Sequence, residues 1–258
     1  MSESTPVRPP RHRGIYLLPN LFTTGAMFAG FYAIIASIGG NYSDAGIAVF
    51  VAALLDGMDG RVARATGTQS EFGVQYDSLS DLVSFGLAPS LVMYTWSLSA
   101  LKNYGPLWGK IGWAAAFIYA ACAALRLARF NTQVGVADKR YFQGLASPAA
   151  AAVCMSFVWS MDKFGVVGEE VCFFTPFMAV TVGLLMVSRF RYYSFKSLPM
   201  GDRDRVPFLW IIVGLLILIP FFVDPPRVLF VVFTLYLLSG PVMTLWGRAT
   251  RRRRRGVA

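Results

Sequence analysis

Apolar stretches long enough to cross a bilayer recur along the whole chain, and no other feature restricts the fold as strongly. A spanning helix takes about 20 residues. Runs of that order lie at residues 15–38, 44–66, 74–99, 107–130, 146–161, 171–189, 206–223 and 227–246, the fifth being the shortest. Only 15% of the residues are charged, where a soluble domain carries about 25%. The connections are too short to hold a separate soluble domain, and no internal repeat is visible. The expected fold is all-α, a polytopic membrane helix bundle of about eight transmembrane helices.

Orientation follows from where lysine and arginine fall. If successive runs alternate in direction, one face receives Arg8, Arg11 and Arg13, Arg61 and Arg64, and Arg126, Arg129, Lys139 and Arg140. It also receives Arg189, Arg191, Lys196, Arg203, Arg205, Arg248 and Arg251 to Arg255. The other face keeps only Lys102, Lys110, Lys163 and Arg227, out of 24 basic residues. Both termini are therefore expected in the cytoplasm, with an even number of spans. A basic rim against anionic headgroups accounts for the net charge of +10 without a nucleic-acid partner. The run Arg251 to Arg255, following directly on an apolar segment, reads as a stop-transfer and lipid-surface anchor.

The remaining composition narrows the chemistry. Cys122, Cys154 and Cys172 lie in apolar stretches without CxxC spacing, so they read as small buried hydrophobes rather than disulfide or zinc partners. His12 is the only histidine, which removes a histidine base and a multi-histidine metal site. The opening MSESTPVRPPRHR has no apolar run followed by a small-residue cleavage site, so no removable signal peptide is expected. Trp96, Trp108, Trp159, Trp210 and Trp246 fall near the ends of the expected spans and read as an interfacial belt.

Against this background, residues 54–86 are unusual: LLDGMDGRVARATGTQSEFGVQYDSLSDLVSFG. The purely apolar part of the second run, Ala45 to Leu55, is too short to span. The helix must continue through Asp56 and Asp59, which places these acids in the cytoplasmic half of the membrane. Ionisable groups at that depth face a bundle interior or a wet cavity. Asp56, Asp59, Gly60, Ala63 and Arg64 follow i, i+3, i+4, i+7, i+8 spacing, one face of a helix. Gly73, Asp77 and Asp81 form a second stripe at i, i+4, i+8, with Ser84 continuing it. Two antiparallel helices joined by a short turn would bring the stripes together. Four carboxylates there would repel one another unless cations intervened. An oxygen-only donor set points to hard cations, Mg²⁺ or Mn²⁺, and four carboxylates suit two ions about 3.5–4 Å apart, as in phosphoryl transfer. Gly60 and Gly73 leave room for a bulky ligand, and Arg64 could clamp a phosphate. On the residues alone, intrahelical ion pairs with Arg61 and Arg64, or a cation or proton pathway, are the competing readings.

The full spacing, Asp56-x2-Asp59-Gly60-x2-Ala63-Arg64-x8-Gly73-x3-Asp77-x3-Asp81, resembles the signature of the CDP-alcohol phosphotransferase family at all eight of its fixed positions. The resemblance implies transfer of a substituted phosphoryl group from a CDP-linked donor to an alcohol, with release of CMP and two divalent cations as cofactors. It implies that Asp56, Asp59 and Asp77 bind metal, and that Asp81 completes the metal site and acts as general base. It places Asn20, Asp59, Gly60, Ala63, Arg64, Ser70 and Gly73 around the CDP-lipid. It also implies a homodimer.

The flanks bear on the acceptor. Asp77-Ser-Leu-Ser-Asp81-Leu-Val-Ser-Phe-Gly-Leu-Ala-Pro89, Ala124-Leu-Arg126-Leu-Ala-Arg129-Phe-Asn131, Phe142-Gln-Gly144-Leu-Ala-Ser147-Pro148 and Pro19-Asn20-Leu-Phe-Thr23 resemble the phosphatidylserine synthase branch. That branch implies CDP-diacylglycerol and L-serine as substrates, in a bacterial cytoplasmic membrane with the site facing the cytoplasm. Serine carries a carboxylate, for which Arg126 and Arg129 are the candidate partners, with Ser84 and Asn131 beside them and Lys139 as a weaker candidate. Snorkelling to headgroups is the plainer reading of the arginines. Gly144 and Pro148 would mark a break that admits the short fifth span. The resemblance divides the chain into a cytoplasmic arm (1–14), a six-helix catalytic core (15–198), two additional helices (199–247) and a basic tail (248–258). The same chemistry on glycerol phosphate, inositol phosphate or choline, and a divalent-cation or lipid transporter, are the alternatives.

Overall fold

Turn chemistry sets the helix boundaries, and the apolar runs between the turns form the spans. The computed structural model describes residues 17–67, 70–132, 141–193, 214 and 220–255. Helix α1 (Leu17–Ile38) is followed by α2 (Tyr42–Thr66) and α3 (Glu71–Asp81). A stretch of π-helix (Leu82–Leu87) leads directly into α4 (Ala88–Trp96), and a 3₁₀ turn (Leu98–Tyr104) precedes α5 (Pro106–Thr132). Strand β1 (Tyr141–Gln143), α6 (Ser147–Lys163), α7 (Phe174–Val187), β2 (Arg191–Tyr193) and α8 (Pro225–Arg255) complete the described elements. Gly67 closes α2 in the left-handed conformation at φ 61°, its N–H reaching the Ala63 and Arg64 carbonyls, as glycine does at helix ends. Ser70 opens α3 by accepting the Gly73 N–H on its hydroxyl at 3.0 Å, a helix N-cap.

The all-α membrane bundle holds, with one addition. Strands β1 and β2 pair antiparallel, Phe142 opposite Tyr192, in a ribbon too short to show in the hydropathy pattern. Four of the described helices are long and apolar enough to cross a membrane: Pro19–Ile38, Glu71–Tyr104, Pro106–Thr132 and Pro225–Thr244. Helix α2 has the length, but its C-terminal half carries the aspartates and arginines. Helix α6 has 17 residues, buried in an unbroken series from Ala150 to Val158, so it runs through the bundle centre and needs no lipid-facing length. The seventh apolar run, 206–223, falls largely outside the described residues, as do the 1–14 arm, Lys139 and Trp210.

The alternation of spans has a structural counterpart. Ser43 donates its N–H to Asp162 at 3.0 Å, Ser97 donates to the Gly168 carbonyl at 2.7 Å, and Asn103 donates to Glu169 at 3.1 Å. Asp224 takes Lys163 at 3.1 Å and Arg227 at 3.2 Å. Connections assigned to one face by sequence therefore meet at one end of the bundle, where Lys163 and Arg227, two of its four basic residues, share one carboxylate.

Within the bundle, short polar ties run from hydroxyls to carbonyls of neighbouring helices. Ser80 donates to Thr23 at 3.0 Å, Ser84 to Ala26 at 3.0 Å, Ser90 to Ala116 at 2.9 Å and Tyr119 to Phe85 at 3.1 Å. Such bonds, with small residues at the crossings, replace the hydrophobic drive that lipid cannot supply. Gly144 follows the same logic. Its φ is +78°, and a Cβ there would stand 2.2 Å from the Met186 carbonyl oxygen, so α6 enters beside the end of α7 only through this glycine.

Helix α8 packs on α6 and on the ribbon. Tyr192 is fully buried, donates to the Leu237 carbonyl at 3.1 Å and lies against the Gly240 backbone. The outer side of α8, with Leu235, Leu238 and Val242, is exposed and suits lipid. Trp96 corrects the interfacial-belt reading: it is buried and meets Phe157 edge-to-face at 5.8 Å, because the end of α4 turns toward α6. The Trp246 side chain lies outside the described residues.

Candidate active site

Helices α2 and α3 run antiparallel across the Gly67 turn and bring their acidic stripes together, as the spacing requires. Carboxylate oxygens of Asp56, Asp59 and Asp77 lie within 4.8 Å of one another. Asp59 is buried, and Asp77 Oδ1 is a buried oxygen without a hydrogen-bond partner among the described residues. A buried carboxylate oxygen left unpaired beside two further carboxylates is strongly unfavourable unless a cation completes it. The donor set is all oxygen, which fits a hard divalent cation. Asp81 stands one turn beyond Asp77 at the start of the π-helix. It is not one of the three grouped acids, although Asp56 is among its electrostatic neighbours.

Beside the acids opens a cavity of about 280 Å³ between α1, α2 and the start of α3. Its lining includes Asn20, Asp59, Gly60, Ala63, Arg64, Ser70 and Gly73, every residue that the sequence placed around the CDP-lipid. Arg64 folds back over Gly60, where a Cβ would stand 3.4 Å from its Nη1. At Gly73 a Cβ would stand 3.2 Å from Ser70 Oγ and 3.7 Å from Asn20 Oδ1. The two glycines thus keep the walls open while a cationic and a polar group face the space.

The acceptor-side candidates are not in this lining. Ser84 is fully buried, and its hydroxyl bonds the Ala26 carbonyl. Ser84 stands four residues after Ser80, one helical turn on, and both hydroxyls face α1. Arg126 donates through Nη1 to the Met186 carbonyl at 3.3 Å and the Gln143 carbonyl at 3.4 Å. Arg129 donates to the Val187 carbonyl at 3.3 Å and to Gln143 Oε1. Both arginines therefore satisfy carbonyls at the end of α7, a favourable place for cations, and tie α5 to β1. Asn131 donates to Ser78 Oγ at 2.9 Å, bracing α3 next to Asp77.

Two participants escaped the sequence. Gln143 organises both arginines, and Thr23 of α1 donates to Asp59 Oδ2 at 2.7 Å. Thr23 stands in the Pro19–Thr23 stretch that resembles the synthase branch, but nothing in the spacing of α1 points to Asp59.

The matches to known proteins agree with this geometry. The sequence pattern of the CDP-alcohol phosphatidyltransferases matches residues 16–187. The chain belongs to the CDP-alcohol phosphatidyltransferase family. Within that family, the CDP-diacylglycerol–serine O-phosphatidyltransferase of Helicobacter pylori (strain 26695) is 37% identical over 233 residues, 90% of this chain and 92% of the relative. The enzyme of the same name from Mycobacterium bovis is 35% identical, over 70% of this chain and 63% of the relative. The archaetidylserine synthase of Methanothermobacter thermautotrophicus is 33% identical, over 68% and 69%. The resemblance read from the eight-residue signature is thus borne out, and family membership sets aside the transporter reading.

A cation seated among Asp56, Asp59 and Asp77 stabilises the folded protein by binding it selectively. Millimolar Mg²⁺ or Mn²⁺ is expected to raise the melting temperature of the detergent-solubilised wild type by several degrees, a gain of about 2–3 kcal/mol at a hundredfold excess over Kd, and to leave Asp77→Asn nearly unmoved. An equal rise in both proteins would remove Asp77 from the cation site.

Proposed function

We propose that this chain is a CDP-diacylglycerol–serine O-phosphatidyltransferase of the bacterial cytoplasmic membrane, with its site on the cytoplasmic side. The observation that carries the reading is the cavity at the acidic cluster, walled by the residues expected around a CDP-lipid. The names of the relatives favour serine as acceptor, and the basic rim beside the motif favours the cytoplasmic side.

In this reading the CDP headgroup lies in the cavity, with Arg64 against its phosphates and Gly60 and Gly73 allowing close approach. Asp56, Asp59 and Asp77 hold the divalent cations, Mg²⁺ or Mn²⁺, which supply charge neutralisation at the diphosphate. Asp81 accepts the proton of the serine hydroxyl. The serine oxygen forms a bond to the phosphatidyl phosphorus, the bond from that phosphorus to the CMP oxygen breaks, and CMP leaves. Exclusion of bulk water by the surrounding helices strengthens each of these polar contacts. A guanidinium has five N–H groups, so after their carbonyl bonds Arg126 and Arg129 retain donors for the serine carboxylate. Asp81 is among the electrostatic neighbours of Arg126, which supports a serine bound between the base and the guanidinium.

The deciding experiment measures CMP release from CDP-diacylglycerol by purified protein with Mg²⁺ or Mn²⁺ on adding L-serine, glycerol 3-phosphate, inositol phosphate or choline in turn. Release with L-serine alone is expected; release with another alcohol instead would keep the family chemistry and overturn the acceptor. Asp81→Asn should bind CDP-diacylglycerol like the wild type while turnover falls by about 10²–10⁴, and unchanged turnover removes it from the base role. Arg129→Ala should raise the KM for L-serine about tenfold, the scale of one charge-assisted bond, with the KM for the lipid unmoved. A uniform loss in both would leave Arg129 as a brace for α7 alone.

A further inference from the structure

Thr23 lies outside the family signature, yet it joins the two helices that carry it. It is 4% exposed, inside the first half of a largely apolar helix. A threonine in that setting ordinarily returns its hydroxyl to the carbonyl four residues back, here Pro19 at 3.2 Å. Asp59 Oδ2 is nearer, at 2.7 Å. A bond to a charged acceptor is also the stronger one, so the hydroxyl proton points at the carboxylate. The carbonyl of Thr23 is engaged as well, accepting Ser80 Oγ at 3.0 Å. One residue of α1 thus touches α2 through its side chain and α3 through its backbone, at the level where Asp59 and Asp77 converge.

We propose that Thr23 is a positioning residue for the cation site, its hydroxyl fixing the rotation of the Asp59 carboxylate so that this acid offers its ligand oxygen toward Asp56 and Asp77. Outer partners of this kind orient a ligand that could otherwise swing away, and they give a buried carboxylate a donor while it waits for metal. Serine keeps the hydroxyl; valine keeps the shape and loses it. The proposal rests on the reading of the three aspartates as a cation site.

The test is Mn²⁺ binding to the purified full-length protein in detergent, followed by electron paramagnetic resonance of free Mn²⁺ without any lipid substrate. Wild type, Thr23→Val, Thr23→Ser and Asp59→Asn are compared, each first shown to be monodisperse. Thr23→Val should weaken Mn²⁺ binding about tenfold, the lower end of what outer-partner changes cost, and Thr23→Ser should return it to within about threefold of wild type. Wild-type affinity in Thr23→Val, with binding lost in Asp59→Asn, would overturn the proposal and leave the cation site standing. Equal weakening in the valine and serine variants would also overturn it, by assigning the effect to packing of the methyl group. Identical binding in wild type and Asp59→Asn would overturn the cation-site reading and the proposal together.

Discussion

Three carboxylates held within 4.8 Å of one another inside a membrane bundle are the constraint around which this structure is arranged. Acids at that depth are costly and persist where they face a wet or cation-binding interior. The rest of the site follows from that need. Helix α2 gives up apolar character in its C-terminal half to carry Asp56 and Asp59. The Gly67 turn sends the chain back so that Asp77 faces them, and α1 closes the third side with Thr23. Gly60 and Gly73 then leave the cavity beside the acids open.

Holding such a site in place calls for rigid neighbours, and lipid offers little drive to pack helices together. The ties observed are mostly single hydroxyls reaching carbonyls of adjacent helices. Ser80 and Ser84 bind α1, Asn131 and Ser78 join α5 to α3, and Arg126 and Arg129 bind the end of α7. The serine contacts converge on α3 and the π-helix that follows it. The π-helix lies directly after Asp81, and π turns of this kind are frequent at functional sites. Here it follows Asp81, the last residue of the acidic stripe, and carries Ser84 at the α1 interface. Helix α8, beyond the residues matched by the family pattern, is anchored through Tyr192 to the ribbon that also carries Gln143. The C-terminal helix therefore contacts the same ribbon as Arg126 and Arg129.

The site was legible to different depths. The acids, Arg64 and the glycines stand on two adjacent helices within 26 residues, where helical periodicity alone sets which side chains share a face. Asn20 and Ser70 came from resemblance, and the cavity lining includes both. The acceptor side was harder. Arg126 and Arg129 were recognisable as cations near a helix end, but their bonds to Met186, Val187 and Gln143 depend on where α7 and β1 come to rest. Trp96 was misplaced because a residue near a span end can face inward as well as outward.

By itself the sequence determined the membrane class, the sorting of connections to two faces, the pairing of the two acidic stripes and the family chemistry. Each depends on composition or on spacing along one or two neighbouring helices, which the backbone geometry converts directly into position. Only the tertiary structure decided which oxygen of which helix meets which partner: Thr23 on Asp59, Tyr192 on Leu237, the arginines on the end of α7 and α6 at the bundle centre. Those contacts join residues far apart in the chain, and their distances depend on how whole helices pack, at crossings where a glycine or a serine decides how closely two backbones can approach.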